Sequence, residues 1–538
     1  MLLTDTDSSI SRVQLRARVR DALARRFGID TRALAAFRIV LGLVLLFDVF
    51  HRSRDLVTFY TDDGVLPRAL LVNQYPAARY SLHTLSGEPW AQAVLFACAA
   101  IAAVALLVGY RTRTATVLSL LLLVSVQARN PHLLNGGDKL LSQLVLLAVF
   151  LPLGTRWALD ALGDPDASGA DSEDAEPRTR SGTDPRIVTP ATAAMLGSVV
   201  VVFVSNALLK AEGDTWHSGE ALHYALRQDQ LTVLLGTHLV DYPLFLTLGT
   251  YIWAGLVTGA PLLIVLTGRL RTAYATAFIA TVVGMALSMA VGLFPAVLIG
   301  GLLLFLPPRV WDALESVAGV AVDRVGVLER GATAFRARTS TLSRPQTLGS
   351  SLSEPTRRRT QRYWSIHLGC LLLVVALWSV GLLGVANAFE PIEEIDPEEH
   401  EWTMFAPDPP ASYGWYVVEA GVVDEENRDV LQGSTLRDAP PPDAAETLPS
   451  FRWRKYMDSL SGDDDRADRF AAHMCERART QTDAFVENVT LTYTEQPIRL
   501  EGEAETPTTK TVVERSCPAE VADHDRNAEF GPAPNHRN

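Results

Sequence analysis

Two polar stretches stand out against an oily chain: QARNPHLLNGGDK at 127–139 and NALLKAEGDTWHSGEALHY at 206–224. The first crowds Arg129, Asn130, His132, Asn135, Asp138 and Lys139 around Gly136-Gly137, a pair that lets the backbone turn tightly or approach a ligand. The second ends an uncharged run on Lys210 and continues through Glu212, Asp214, Trp216, His217, Glu220 and His223. Lysine is scarce, occurring only as Lys139, Lys210, Lys455 and Lys510. An amine, unlike a guanidinium, can give up its proton when water is withdrawn and then act as a base. The competing reading of Lys210 is a side chain reaching for water beside an interfacial tryptophan, which is common at helix ends. The 127–139 stretch divides evenly between a ligand pocket and an ordinary turn. Glu220 and His223 share a helix face, which is too little for a metal, and no CxxC pair exists, so no metal site is expected.

Long apolar segments position these groups. Runs such as 191–209 carry no charge, and a helix of about twenty such residues satisfies its own backbone across a bilayer. Membrane helices are expected at 33–50, 90–109, 113–128, 138–156, 191–209, 243–267, 272–292, 294–308 and 364–387. The eighth is short and contains Pro295, which predicts a tilted, broken or hairpin segment. Within the first, Arg38 and Asp48 either reach opposite surfaces or face a cavity between helices.

Charge sets the orientation. Arg12 to Arg32 at the N-terminus, Arg111 and Arg113, Arg269 and Arg271, and RRRTQR at 357–362 all fall on one side if nine spans are counted. Basic clusters mark the cytoplasmic side, which leaves residues 388–538 outside the cell membrane. The sequence thus predicts a polytopic α-helical membrane protein of about nine spans with a small extracytoplasmic α+β or β-sandwich domain. Its parts are a cytoplasmic segment (1–32), a transmembrane domain (33–309), a cytoplasmic linker (310–363), the last span (364–387) and the soluble domain (388–538). Residues 312–330 have the pattern of an amphipathic surface helix, and the polar segment 163–186 reads as a further linker.

The net charge of −13 argues against a nucleic-acid partner. An acid-rich, lysine-poor composition suits a salt-loving microbe, although a GC-rich genome gives a similar arginine bias. In the tail, 415–423, 488–498 and 510–516 alternate like strands, and 464–480 reads as a helix with Phe470, Met474 and Ala478 on one face. Cys475 and Cys517 could form a disulfide if the tail is external, whereas Cys98 and Cys370, inside apolar runs, read as small buried hydrophobes.

Four segments together resemble the HTTM family, the membrane domain shared with vitamin K-dependent gamma-carboxylases. They are Asn130-Pro131-His132, Lys210–Trp216 with Gly219, EWTMFAPDPPASYGWYVVEAG at 401–421, and FRWRKYM at 451–457. The resemblance implies Lys210 as the base that deprotonates a reduced quinone and His132 as its assistant. Asn130, Asn135, Asp138, Lys139, Glu212, Asp214, Trp216, His217 and Glu220 would then line the substrate or quinone pocket. It implies reduced menaquinone as cofactor, with oxygen and carbon dioxide as co-substrates, and membrane lipids as surroundings. The carboxylases carry adjacent lysines where this chain has Leu209-Lys210, and 388–538 is much shorter than the external part of the animal enzymes. The alternative function is a non-catalytic scaffold or lipid-binding protein whose external domain meets an envelope protein partner.

Overall fold

The computed structural model describes residues 5–162, 186–325, 369, 404–424, 426–435, 447–482 and 484–518. The expected last span, 364–387, lies outside them except for Gly369, as do 163–185 and residues 326–363 of the expected cytoplasmic linker. Two compact units emerge, Met1–Ala411 with Ile498–Gly502, and Ser412–Pro497 with Glu503–Asn538.

The first unit is helical. Besides shorter helical turns, its elements include α1 (Asp5–Phe27), β1 (Ile29–Asp30), α2 (Thr31–Ser53), α3 (Pro89–Val108), α4 (Thr112–Arg129), α5 (Gly136–Ala148), β2 (Arg186–Ile187), α6 (Pro190–Lys210), α7 (Asp214–Ser218), α8 (Ala221–Ala225), α9 (Pro243–Thr258), α10 (Gly268–Ser288), α11 (Phe294–Leu303) and α12 (Pro308–Val325). Local chemistry sets the starts. Asp30 caps α2 by accepting from the Arg32 N–H, and Thr189 with Thr192 forms a capping box ahead of Pro190 in α6. Prolines open α3 and α9, where a missing N–H costs nothing.

Among the described residues, α2, α3, α6 and α10 are long and apolar enough to cross a membrane. A fifth crossing results if α11 and the start of α12, bent by 104° to each other, count as one. That bend falls at 304–307, at the end of the eighth expected run and not at Pro295, which sits in the first turn of α11. Two expected spans are shorter as helices. α5 stops at Ala148, before Pro152, and α9 stops at Thr258, before Gly259 and Pro261. Hydropathy does not register the turns that these prolines impose. α4 has the expected length, but Arg113, Gln127 and several hydroxyls dilute its apolar character.

Only 28% of the apolar window of α3 and 22% of that of α10 is buried. Trp90, Val94 and Ile101 of α3 are exposed, as suits a helix whose outer face meets lipid. Cys98 shares that face and is exposed, which corrects its reading as a buried hydrophobe: an apolar run in a membrane helix does not say which side faces the bundle. Inside, Phe37, Val199, Phe203, Phe278 and Val297 join α2, α6, α10 and α11 into one core. Because lipid tails are as apolar as leucine, close fit rather than water exclusion holds such helices together. A Cβ on Gly42 would lie 2.8 Å from Leu107, so only glycine lets α2 approach α3 there.

One end of the bundle gathers the arginine-bearing turns. Arg32 binds Asp30, Asp312 at 2.7 Å and Glu315 at 3.0 Å, which fastens α2 to α12. Asp160 accepts from the N–H groups of Arg111 and Thr112, both at 2.8 Å. Arg38 is fully buried and donates to the carbonyls of Leu153 at 3.3 Å and Trp157 at 2.5 Å. It therefore holds the turn after α5 instead of reaching the surface.

The second unit is an antiparallel sheet in the order β5 (Ser434–Thr435), β4 (Arg428–Asp429), β3 (Ser412–Val422), β6 (Val486–Pro497), β7 (Thr508–Ser516). Two helices, α13 (Phe451–Asp458) and α14 (Asp464–Arg479), accompany it, so among the described residues it is α+β rather than a sandwich. α14 packs on β6 and β7, burying Phe470, Ala471, Met474 and Ala478. Cys475 and Cys517 form the expected disulfide, joining α14 to the end of β7.

Candidate functional site

Lys210, the last residue of α6, is only 4% exposed. Its Nζ donates to the carbonyls of Met404 at 2.8 Å and Phe405 at 3.0 Å, and sits 3.9 Å from the centre of the Trp216 ring. Trp216 in turn donates its Nε1–H to the Phe405 carbonyl at 2.9 Å. One carbonyl thus serves both residues. Phe405 adopts a φ of 55°, a left-handed conformation costly for a non-glycine residue and here fixed by those two donors.

The rest of the 404–410 segment is bound the same way. Asp408 accepts from the Thr215 hydroxyl at 2.5 Å, the Thr215 N–H at 2.8 Å and the Asp214 N–H at 3.2 Å. Burial alone would raise the Asp408 carboxyl, but these bonds outweigh it and hold it below the usual carboxylate range. Gly213 lets the chains touch, since a Cβ there would collide with the Pro407 carbonyl oxygen. Gln228 donates to the Pro410 carbonyl at 2.8 Å. These bonds explain why the first unit extends to Ala411 rather than ending where the expected soluble domain begins.

A neutral amine would spend its two N–H bonds on the two carbonyls and turn its lone pair toward the indole face. An ammonium would have a third donor available for the indole face, an attraction of about 0.5–2 kcal/mol. Of the other residues predicted here, Glu212, Asp214, His217 and Glu220 are exposed. Asp214 contributes its backbone, and the His217 Nε2 lies 3.0 Å from the Ala211 carbonyl oxygen.

The 127–139 group builds a different neighbourhood. Asn135 and Asp138 form the capping box that starts α5. Asp138, 1% exposed, also binds Arg52 at 2.7 Å, and Arg52 reaches Asp48 at 2.8 Å and the Tyr60 hydroxyl at 2.9 Å. Asn130 is buried and donates to the Phe59 carbonyl at 3.1 Å. His132 is half-buried, edge-on to Tyr75 at 5.7 Å between centroids, and Lys139 is half-buried. Lys210 contacts Met404, Phe405 and Trp216, and Tyr75 is among the neighbours of His132.

Asp48 takes the cavity alternative. With Arg52, His83 and Ser119 it lines a cavity of about 20 Å³, room for one water, walled by Leu45, Phe96, Leu122 and Val126. His83 lies 2.7 Å from the Ser125 hydroxyl through Nδ1. Burial first, then the charges of Arg52 and Arg129, push His83 down to about 4, so its ring is neutral at pH 7. Arg52, Tyr60 and His83 escaped the sequence reading, and Asp408 entered it only as part of the 401–421 motif. Only Asp48 and Arg52, four apart in an apolar helix, offered a signal.

Compared with known protein families, characterised proteins and solved structures, the chain finds no match.

Proposed function

We propose that the chain is a multi-pass membrane enzyme of the HTTM and gamma-carboxylase type, in which Lys210 takes a proton from a reduced quinone. The observation that carries this reading is the setting of the amine: 4% exposed, at the end of an uncharged helix, with neutral carbonyls and an indole as partners. The neighbouring acid, Asp408, is committed to Thr215 and Asp214. Close by, α9 turns Phe245, Leu248 and Ile252 outward, an apolar face that fits an isoprenoid tail. A reduced quinone bound there would supply the acidic hydroxyl and the electrons for oxygen chemistry. The chain's own part is to keep the amine dry and aim it through the Met404 and Phe405 carbonyls. His132 is assigned the assisting role through the resemblance.

Nine spans with the N-terminus inside and 388–538 outside complete the proposal. Its support is that the turns at 109–112, 153–160 and 308–315 join the start of α2 at one end of the bundle, as alternating crossings require. The test is incubation of the purified chain with reduced menaquinone, oxygen, labelled bicarbonate and a glutamate-containing peptide as carboxyl acceptor. Epoxide and incorporated label from the wild type, with both lost in Lys210→Ala, are expected; their absence from the wild type refutes the reading.

A second reading, a non-catalytic scaffold meeting an envelope partner, has one observation in its favour. Both acceptors of Lys210 belong to a single segment, so the lysine also serves as a latch. Recovery of a partner through residues 388–538, unchanged by Lys210→Ala and without quinol turnover, is the outcome it predicts.

A further inference from the structure

Arg271, in the first turn of α10, has more donors than partners among the described residues. It is 4% exposed. Its Nη1 donates to the carbonyls of Arg25 at 3.2 Å and Arg26 at 3.0 Å, capping the last turn of α1, and its guanidinium lies 5.2 Å from the centre of the Phe305 ring. Nε and Nη2 are buried with no hydrogen-bond partner among the described residues. Those two nitrogens share one edge of the guanidinium, the edge that grips two oxygens of a carboxylate or phosphate side by side.

Capping α1 uses only the opposite nitrogen, so it does not account for the open edge. Asp30, whose backbone pairs with Arg186 across β1 and β2, gives both of its oxygens to Arg32. Arg186 is close enough for its charge to act on Arg271, and Arg25 and Arg269 add exposed positive charge nearby. Beside this unmatched cation, Leu262, Val265 and Leu270 are exposed. An anionic oxygen group next to an uncovered apolar wall is the chemistry of a phospholipid headgroup with its acyl chains.

We propose that the corner between α1, β2 and α10 binds the phosphate of an anionic membrane lipid. Two phosphate oxygens take Nε and Nη2 of Arg271, Arg186 adds a second positive charge, and the acyl chains lie along Leu262, Val265 and Leu270. This site is independent of Lys210 and of any catalytic reading.

The full chain, purified in mild detergent, is titrated with phosphatidylglycerol or phosphatidylcholine and read by native mass spectrometry. The wild type is expected to retain phosphatidylglycerol in preference to phosphatidylcholine, and Arg271→Gln to lose about tenfold in affinity for it. Arg186→Gln, which leaves the α1 cap intact, is expected to weaken binding by a smaller factor, and circular dichroism checks that each variant is folded. Equal retention by folded Arg271→Gln overturns the proposal, as does equal retention of the two lipids. Displacement of the lipid by millimolar inorganic phosphate points to a free anion and overturns the lipid assignment. Tighter lipid binding after neutralising the acids of 163–184 assigns the site to that linker instead.

Discussion

Replacing Arg52 with methionine tests the buried network most severely. The guanidinium is fully buried and serves Asp48 at 2.8 Å, Asp138 at 2.7 Å and Tyr60 at 2.9 Å. Both carboxylates are 2% exposed or less, so neither can turn to water when the cation goes. Removing one partner of a buried pair costs about 3–5 kcal/mol, and here two acids lose the same cation, which places Arg52→Met near the upper figure. Arg52→Lys keeps the charge without the fork and is expected to lose about half as much. The combination Arg52→Met, Asp48→Asn, Asp138→Asn removes the charges together and recovers most of the loss, because the amide oxygen introduced by Asp138→Asn can still accept from the Asn135 N–H. Reversible unfolding in mixed micelles, followed by tryptophan fluorescence, measures all three. A loss below about 1 kcal/mol for Arg52→Met, or a triple variant no more stable than the single one, refutes the reasoning.

His83 sits near 4 in the folded chain against an ordinary 6.5, so between those values the unfolded chain binds the extra proton. Its contribution is complete above pH 6.5 and falls by roughly 3 kcal/mol towards pH 4; His83→Gln removes that slope, and an unchanged slope contradicts the assignment. Thr215→Val takes the hydroxyl from Asp408 and is expected to cost about 1.5–3 kcal/mol, seen as faster hydrogen exchange over 404–411; unaltered exchange counts against the segment's anchoring. Reducing the Cys475–Cys517 bond, which closes a 42-residue separation, is expected to destabilise the second unit by about 4 kcal/mol. Exchange in α14, β6 and β7 of the full chain reports it, and protection indifferent to reductant opposes the estimate.

What the sequence made legible was periodic or compositional. The i, i+4, i+8 face of Phe470, Met474 and Ala478, the alternation of 415–423 and 488–498, and the uncharged 191–209 run each carry their own evidence. The closeness of Lys210 and Trp216 was also readable, because both lie in one short stretch. The partners of Lys210 were not: they are backbone carbonyls 194 and 195 residues away, and a carbonyl belongs to every residue type. Arg52 hides for a related reason, since one of its acids is 86 residues distant. The helix ends after Ala148 and Thr258 were misplaced because averaged hydropathy continues smoothly across Pro152 and Pro261.

Replacing Lys210 with arginine separates its two roles. An arginine can still donate to the Met404 and Phe405 carbonyls and lie over Trp216, but it keeps its proton. Quinol-dependent turnover and exchange over 404–411 are to be measured together on that variant and the wild type. Wild-type protection with turnover abolished is the result predicted here; turnover by the arginine variant at the wild-type rate contradicts the assignment of Lys210 as the base.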